Sequence, residues 1–157
     1  MKNDFLNSVI IKIAELNEKP SILSFYRKCN YRDIQGINLD DIFIIAKKND
    51  AIIGVCRLSE EPINTKEFLI LRGINIDPKY QRHGIGIIIL EMADKLTKAR
   101  KCYLIGQVHL ESFFHHIKFI KIQEKDFKNN VPTHLIERFI KYQKEKPLDK
   151  YIIMVKN

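Results

Sequence analysis

An α+β fold is predicted by three features of the 157-residue chain: seven apolar runs of strand length, helix-period segments set between several of them, and a hairpin signal near residue 50. Residues 8–14 read as a strand, and 20–32 as a helix with Pro20 in its first turn, where a missing N–H costs little. Residues 41–47 and 51–58 are apolar runs split by Lys48-Asn49-Asp50, which marks the hairpin. A turn at Pro62-Ile63-Asn64 leads into a strand over 68–76, which stops at Asp77-Pro78 because proline cannot donate to a ladder. A helix over 84–99 places Ile85, Ile88, Ile89, Met92 and Leu96 on one side. A strand over 101–106, a short helix over 110–117 and a strand over 119–123 follow. Val131-Pro132-Thr133 introduces a helix over 134–144, and a strand over 150–155 closes the chain.

Residues 1–157 are expected to form one domain, since this length supplies one substantial core and no repeat or linker interrupts it. Hydrophobic residues make up 45% and charged residues 29%, an ordinary globular balance. No run approaches the roughly 18 apolar residues of a membrane span. The apolar N-terminal stretch is flanked by acids and lacks a small-residue cleavage site, so a cytoplasmic location is expected. Cys29, Cys56 and Cys102 are scattered, which suggests neither a disulfide frame nor a zinc site.

The formal charge of +8 is uneven: residues 94–157 hold 14 Lys and Arg against 7 Asp and Glu, residues 1–93 hold 13 against 12. Such a field could draw in an acidic partner. An AT-rich coding bias explains it more economically, because no basic helix is interleaved with aromatics. Nucleic acid is therefore not the favoured partner.

The most informative stretch is 68–90, where a strand, a breaker, a glycine turn and a helix follow one another. Gln81-Arg82-His83-Gly84-Ile85-Gly86 offers backbone N–H groups at a helix start, where the first donors have no internal partner. Such a corner attracts phosphate oxygens. A Walker loop is excluded by spacing. A dinucleotide fingerprint is weak: Ile87, Ile88 and Ile89 follow the second glycine, and no carboxylate follows the 102–105 run.

Gln81-Arg82-x-Gly84-x-Gly86, with Ile76-Asp77-Pro78 upstream, resembles the acyl-CoA-binding motif of the GNAT superfamily of N-acyltransferases. The order of elements matches that family's plan over nearly the whole chain. The resemblance implies a mixed, mostly antiparallel sheet of about seven strands, flanked by helices and splayed between the fourth and fifth strands. It implies acetyl-CoA, or another short acyl-CoA, as co-substrate. The backbone of Gln81, Arg82, His83, Gly84, Ile85 and Gly86 would hold the pyrophosphate, and Ile74, Asn75 and Ile76 would pair with the pantetheine arm. An N–H around Ile76 would meet the developing oxyanion.

In the family a tyrosine often protonates the leaving thiolate, within a segment resembling f-Y-x-x-x-G-F. Here Phe113-Phe114-His115-His116-Ile117-Lys118-Phe119 occupies that place, with Phe114 at the tyrosine and Lys118 at the glycine. Phe114 can contact CoA but has no proton to give. His109, Glu111 and His115 are the candidate proton-handling groups, since imidazole titrates near neutral pH and Glu111 lies just past the fifth strand. His115 and His116 are adjacent on a helix, about 100° apart, so only one can face the cleft. No metal site is expected. Cys102 is the minor alternative, as a covalent acyl acceptor.

Direct transfer of an acetyl or short acyl group to an amine is thus the expected activity, with a small-molecule or protein acceptor and a monomer or homodimer. The rivals are a CoA-binding sensor or interaction domain with little turnover, motivated by Phe114, and transfer to an RNA-linked amine.

Overall fold

The computed structural model describes residues 2–38, 40–61 and 68–157. The turn expected at Pro62-Ile63-Asn64 lies outside the described residues. Among the described residues seven strands form one sheet: β1 (Ile10–Ile13), β2 (Ile42–Lys48), β3 (Ala51–Glu61), β4 (Phe68–Ile76), β5 (Cys102–Gln107), β6 (Ile120–Ile122) and β7 (Tyr151–Lys156). Their order is β1-β2-β3-β4-β5-β7-β6, antiparallel throughout except for β4 with β5. The helices are α1 (Lys2–Asn7), α2 (Lys19–Lys28), α3 (Ile85–Thr97), α4 (Glu111–His115), α5 (Phe127–Asn130) and α6 (Thr133–Glu145).

Two departures from the sequence reading have local causes. The helix expected over 20–32 ends at Lys28, because Asn30 adopts a left-handed conformation (φ 54°) and turns the chain. Helix α1 precedes β1, where only a strand was expected; its partly buried Phe5 and Leu6 pack on the core under α3.

Strand alternation sorts side chains to two faces. Leu69 and Leu71 of β4, with Cys56 and Leu58 of β3, face α3 and join Ile85, Ile89 and Leu104 in the largest apolar cluster. The other face carries two smaller clusters, one under α2 (Ile22, Phe25, Tyr26, Val55) and one under α5 and α6 (Phe68, Ile70, Tyr103, Leu135, Phe139). Between them lies a strip of ion pairs. Fully buried Arg57 contacts Asp41 at 2.6 Å and Asp33 at 2.8 Å; Arg72 joins Asp33 and Glu61, each at 3.1 Å.

Two irregularities of β4 shape the site. First, Val55 pairs with Asn75 but Arg57 pairs with Arg72, so Gly73 and Ile74 stand against the single residue Cys56 in a β-bulge, with Gly73 left-handed at φ 62°. The extra residue returns Ile74 and Ile76 to the α3 side and puts Asn75 beside Val55. Second, β4 and β5 pair only at Leu69↔Cys102 and Ile70↔Tyr103. Beyond those pairs the two inner edges run on to Ile76 and Gln107 without each other, and the sheet splays. Among the described residues no helix is long and apolar enough to cross a membrane.

Candidate active site

The corner at the end of β4 is fixed by Asp77. Its N–H donates to the Ile53 carbonyl (2.8 Å), and its buried carboxylate accepts from the Lys28 ammonium (2.7 Å) and the Lys79 N–H (3.0 Å). The Lys28 contact, then the Lys79 N–H, holds this carboxyl below its ordinary range. One 3-10 turn, Pro78–Tyr80, follows, and the Gln81 side-chain amide reaches back to the Ile76 carbonyl at 3.0 Å.

Next come two left-handed residues, Arg82 (φ 62°) and Gly84 (φ 88°), before α3 begins at Ile85. From Gln81 to Ile87 no backbone N–H finds an acceptor among the described residues; the first that does is Ile88, which donates to Gly84 at 3.3 Å. A row of free N–H groups at the start of a 13-residue helix is an anion site by geometry and by dipole.

Beside it lies a concavity of about 380 Å³ with mostly apolar walls: Ile76, Tyr80, Ile85, Ile87, Leu110 and Phe113, with Gln81, Arg82, Gly84 and Gly86 at the turn. Gly86 matters for space, since a Cβ there would stand 3.2 Å from the Phe113 ring. The turn is backed by α1: the Phe5 ring lies 4.7 Å from that of His83 and 5.9 Å from that of Tyr80.

The sequence-derived site residues separate into two groups. Ile76, Gln81, Arg82, Gly84, Ile85 and Gly86 converge on the concavity, and His83 is exposed behind it against Phe5; Ile74 and Asn75 lie on the splayed part of β4. His109, Glu111 and His115 do not line that concavity. His109 is exposed in a 3-10 turn after β5, and His115 lies 3.4 Å from Glu111 within α4. His116 points elsewhere, to Glu91 of α3 at 3.2 Å. Phe114 is buried, packed on Phe113, Phe119 and Gly106 of β5. Phe113, Leu110 and Tyr80 were not among the expected site residues; adjacent phenylalanines on a short helix give no sequence signal for which one faces the cleft.

Cys102 sits in β5 at the closed end of the splay, opposite Leu69, and burial pushes its thiol up to about 12. It is poorly disposed to act as a nucleophile. No group of three His, Cys, Asp or Glu side chains arranged to hold a metal occurs among the described residues.

The geometry suits an extended ligand: N–H donors for an anionic end, apolar walls for an alkyl arm, and two unpaired strand edges for amides. Residues 40–121 match the family model described as "Acetyltransferase (GNAT) domain". No curated protein matches the chain in sequence. Solved structures are similar in fold. A GNAT-family acetyltransferase from Streptococcus pneumoniae aligns with TM-score 0.63 and 18% identity, over 94% of this chain and 98% of that one. An acyl-CoA N-acyltransferase from Pseudomonas aeruginosa aligns with TM-score 0.65 and 16% identity, over 96% and 100%. The PaiA N-acetyltransferase from Thermoplasma acidophilum, a complex with coenzyme A, aligns with TM-score 0.60 and 16% identity, over 96% and 99%. With a family model spanning more than half of its length and a seven-stranded sheet splayed at the expected pair, the chain belongs to the GNAT family of acetyltransferases.

Proposed function

We propose that the protein is a cytoplasmic N-acetyltransferase that moves an acetyl or short acyl group from acyl-CoA directly to an amine. The row of unpaired N–H groups from Gln81 to Ile87 beside the β4–β5 splay carries this reading. Pyrophosphate accepts from the turn, and Arg82 adds a positive side chain at its surface. The pantetheine amides pair with the inner edge of Ile74, Asn75 and Ile76, and its alkyl segments lie against Phe113 and Leu110. The free state of the three cysteines accords with a reducing compartment.

Near neutral pH an alkyl amine, with a pKa of about 10.4, must lose a proton before it attacks. Its nitrogen then adds to the thioester carbonyl, the oxyanion is met by a β4 N–H near Ile76, and collapse expels the CoA thiolate, which takes a proton. Phe114 cannot supply that proton. His109 just before α4, Glu111 at its start and His115 at its end are the side chains proposed to relay it, directly or through water.

Calorimetry with acetyl-CoA, joined to thiol release over a panel of amines, tests the reading. Micromolar binding with steady, amine-dependent release is expected. Binding without release for any amine would favour the second reading, a CoA-responsive interaction domain, for which the buried hydrocarbon ring of Phe114 is the specific observation. Transfer to an RNA-linked amine predicts binding that weakens steeply with salt.

A further inference from the structure

We infer that Tyr142, Glu145 and Tyr151 form a cation-binding subsite for the acceptor, which Arg32 fills from within the chain. This rests on the transferase reading and names the class of its acceptor: an alkyl amine that bears a second positive charge.

Arg32 follows Tyr31, whose ring packs under the Gly73 bulge of β4; it reaches Tyr151, which pairs with Gln107 at the end of β5. Its side chain therefore crosses the mouth of the splay on the face opposite α3. An acceptor approaching the thioester from that face meets it.

The surroundings of the guanidinium are those that recognise a cation. Its carbon lies 4.8 Å from the Tyr142 ring centroid and 5.7 Å from that of Tyr151, and the two rings are 5.8 Å apart at 49°. One nitrogen donates to the Tyr151 hydroxyl at 2.7 Å and the other to Glu145 at 3.3 Å. Lys141, 3.9 Å from Glu145, is a second cation near that carboxylate. An anionic tail would be placed against Glu145; a cationic tail finds two ring faces and a carboxylate.

Arg32 also has the features of an exchangeable occupant. Its side chain is one-third exposed, and its 3.3 Å contact is with a carboxylate that is itself 43% exposed, a weak pair in water. Arg57, by contrast, is wholly buried between two carboxylates at 2.6 and 2.8 Å. One arginine is part of the frame, the other is a plug.

The test uses three probes of equal carbon-chain length with different tails: putrescine, butylamine and γ-aminobutyrate. Each is titrated calorimetrically into the full chain with and without acetyl-CoA, and each is offered as acceptor. Putrescine is expected to bind, and to be acetylated, about tenfold better than the other two. Arg32→Ala should tighten putrescine several-fold by removing the internal competitor, and Glu145→Gln should erase the preference. A preference for γ-aminobutyrate that Arg32→Ala abolishes would overturn the inference, making Arg32 an anion ligand. Equal binding of all three probes in both variants would overturn it as well, leaving Arg32 as a structural tie. Acetyl-CoA binding is read in parallel. A chain that takes putrescine but not acetyl-CoA contradicts the transferase reading and keeps the subsite; the reverse contradicts the subsite alone.

Discussion

The Tyr26 hydroxyl donates to the Gly73 carbonyl at 2.8 Å, joining α2 to the bulge in β4 across 47 residues of sequence. The bulge breaks the regular pairing of β4 with β3 at this point, and Tyr26, wholly buried, satisfies the carbonyl it leaves. Burial also holds the Tyr26 phenol well above its ordinary pKa, so it remains a donor at any working pH. Tyr26→Phe should cost about 1–2 kcal/mol by orphaning that carbonyl. Gly73→Ala should cost more, about 2–3 kcal/mol, because it strains a left-handed residue and sets a Cβ near two phenol oxygens. Those oxygens stand 2.8 Å (Tyr26) and 3.0 Å (Tyr31) from the new carbon. Urea unfolding midpoints check both values.

The two glycines of the turn should fail in different ways. At Gly84 a Cβ meets open space, the nearest atom being 3.8 Å away on Leu6, so the penalty is conformational. Gly84→Ala is expected to lose about 1–2 kcal/mol of stability and about tenfold in acetyl-CoA affinity. Gly86 is helical, so Ala there favours the backbone while forcing the Phe113 ring to retreat by a few tenths of an ångström. Gly86→Ala should keep its melting temperature and still weaken acetyl-CoA, a split that melting curves and calorimetry together reveal.

Acid should expose a different part of the molecule. The Glu18 carboxylate accepts from the Glu15 N–H at 2.8 Å, and Lys47 and Lys12 lie at 3.0 and 3.1 Å. The Glu15 N–H, with the two ammonium groups, lowers its pKa to about 2. A folded pKa below the unfolded one stabilises above the ordinary carboxylate range, and the gain disappears as pH falls through the folded value. Stability measured from pH 7 downward should therefore fall between about pH 5 and 2, and less steeply in Glu18→Gln.

Direct transfer predicts that Cys102 is dispensable for chemistry. Cys102→Ala should retain turnover and lose about 1 kcal/mol through its small cavity. Native alkylation should reach half-buried Cys29 before Cys56 or Cys102, both fully buried. An acyl group trapped on Cys102 and detected by mass would sink the direct route.

Sequence legibility followed the range of the interactions. The strand, breaker and helix from 68 to 97 were readable because branched apolar residues, Asp77-Pro78 and the glycine turn act locally. The splay was expected through the family resemblance and is present. Phe113 was unreadable, since it and Phe114 differ only by a rotation that the packing against Gly86 and Gly106 decides. Helix α1 was hidden because KNDFLN has two apolar residues, whose value appears only once Phe5 meets Tyr80 and His83. The surroundings of Arg32 lay furthest from view: its partners follow more than a hundred residues later.

Two residue pairs are all the backbone seam between β4 and β5, so the sheet is two panels, four strands and three, stitched at one end. A chain-like donor laid along the free edges would supply ladder bonds that the polypeptide itself does not make. Cohesion of the panels and affinity for the donor then become one quantity, and at a hundredfold excess over Kd the ligand would add about 2.7 kcal/mol to unfolding. Each product release would undo that mending, so the catalytic cycle would also be a cycle of tightening and loosening of the sheet.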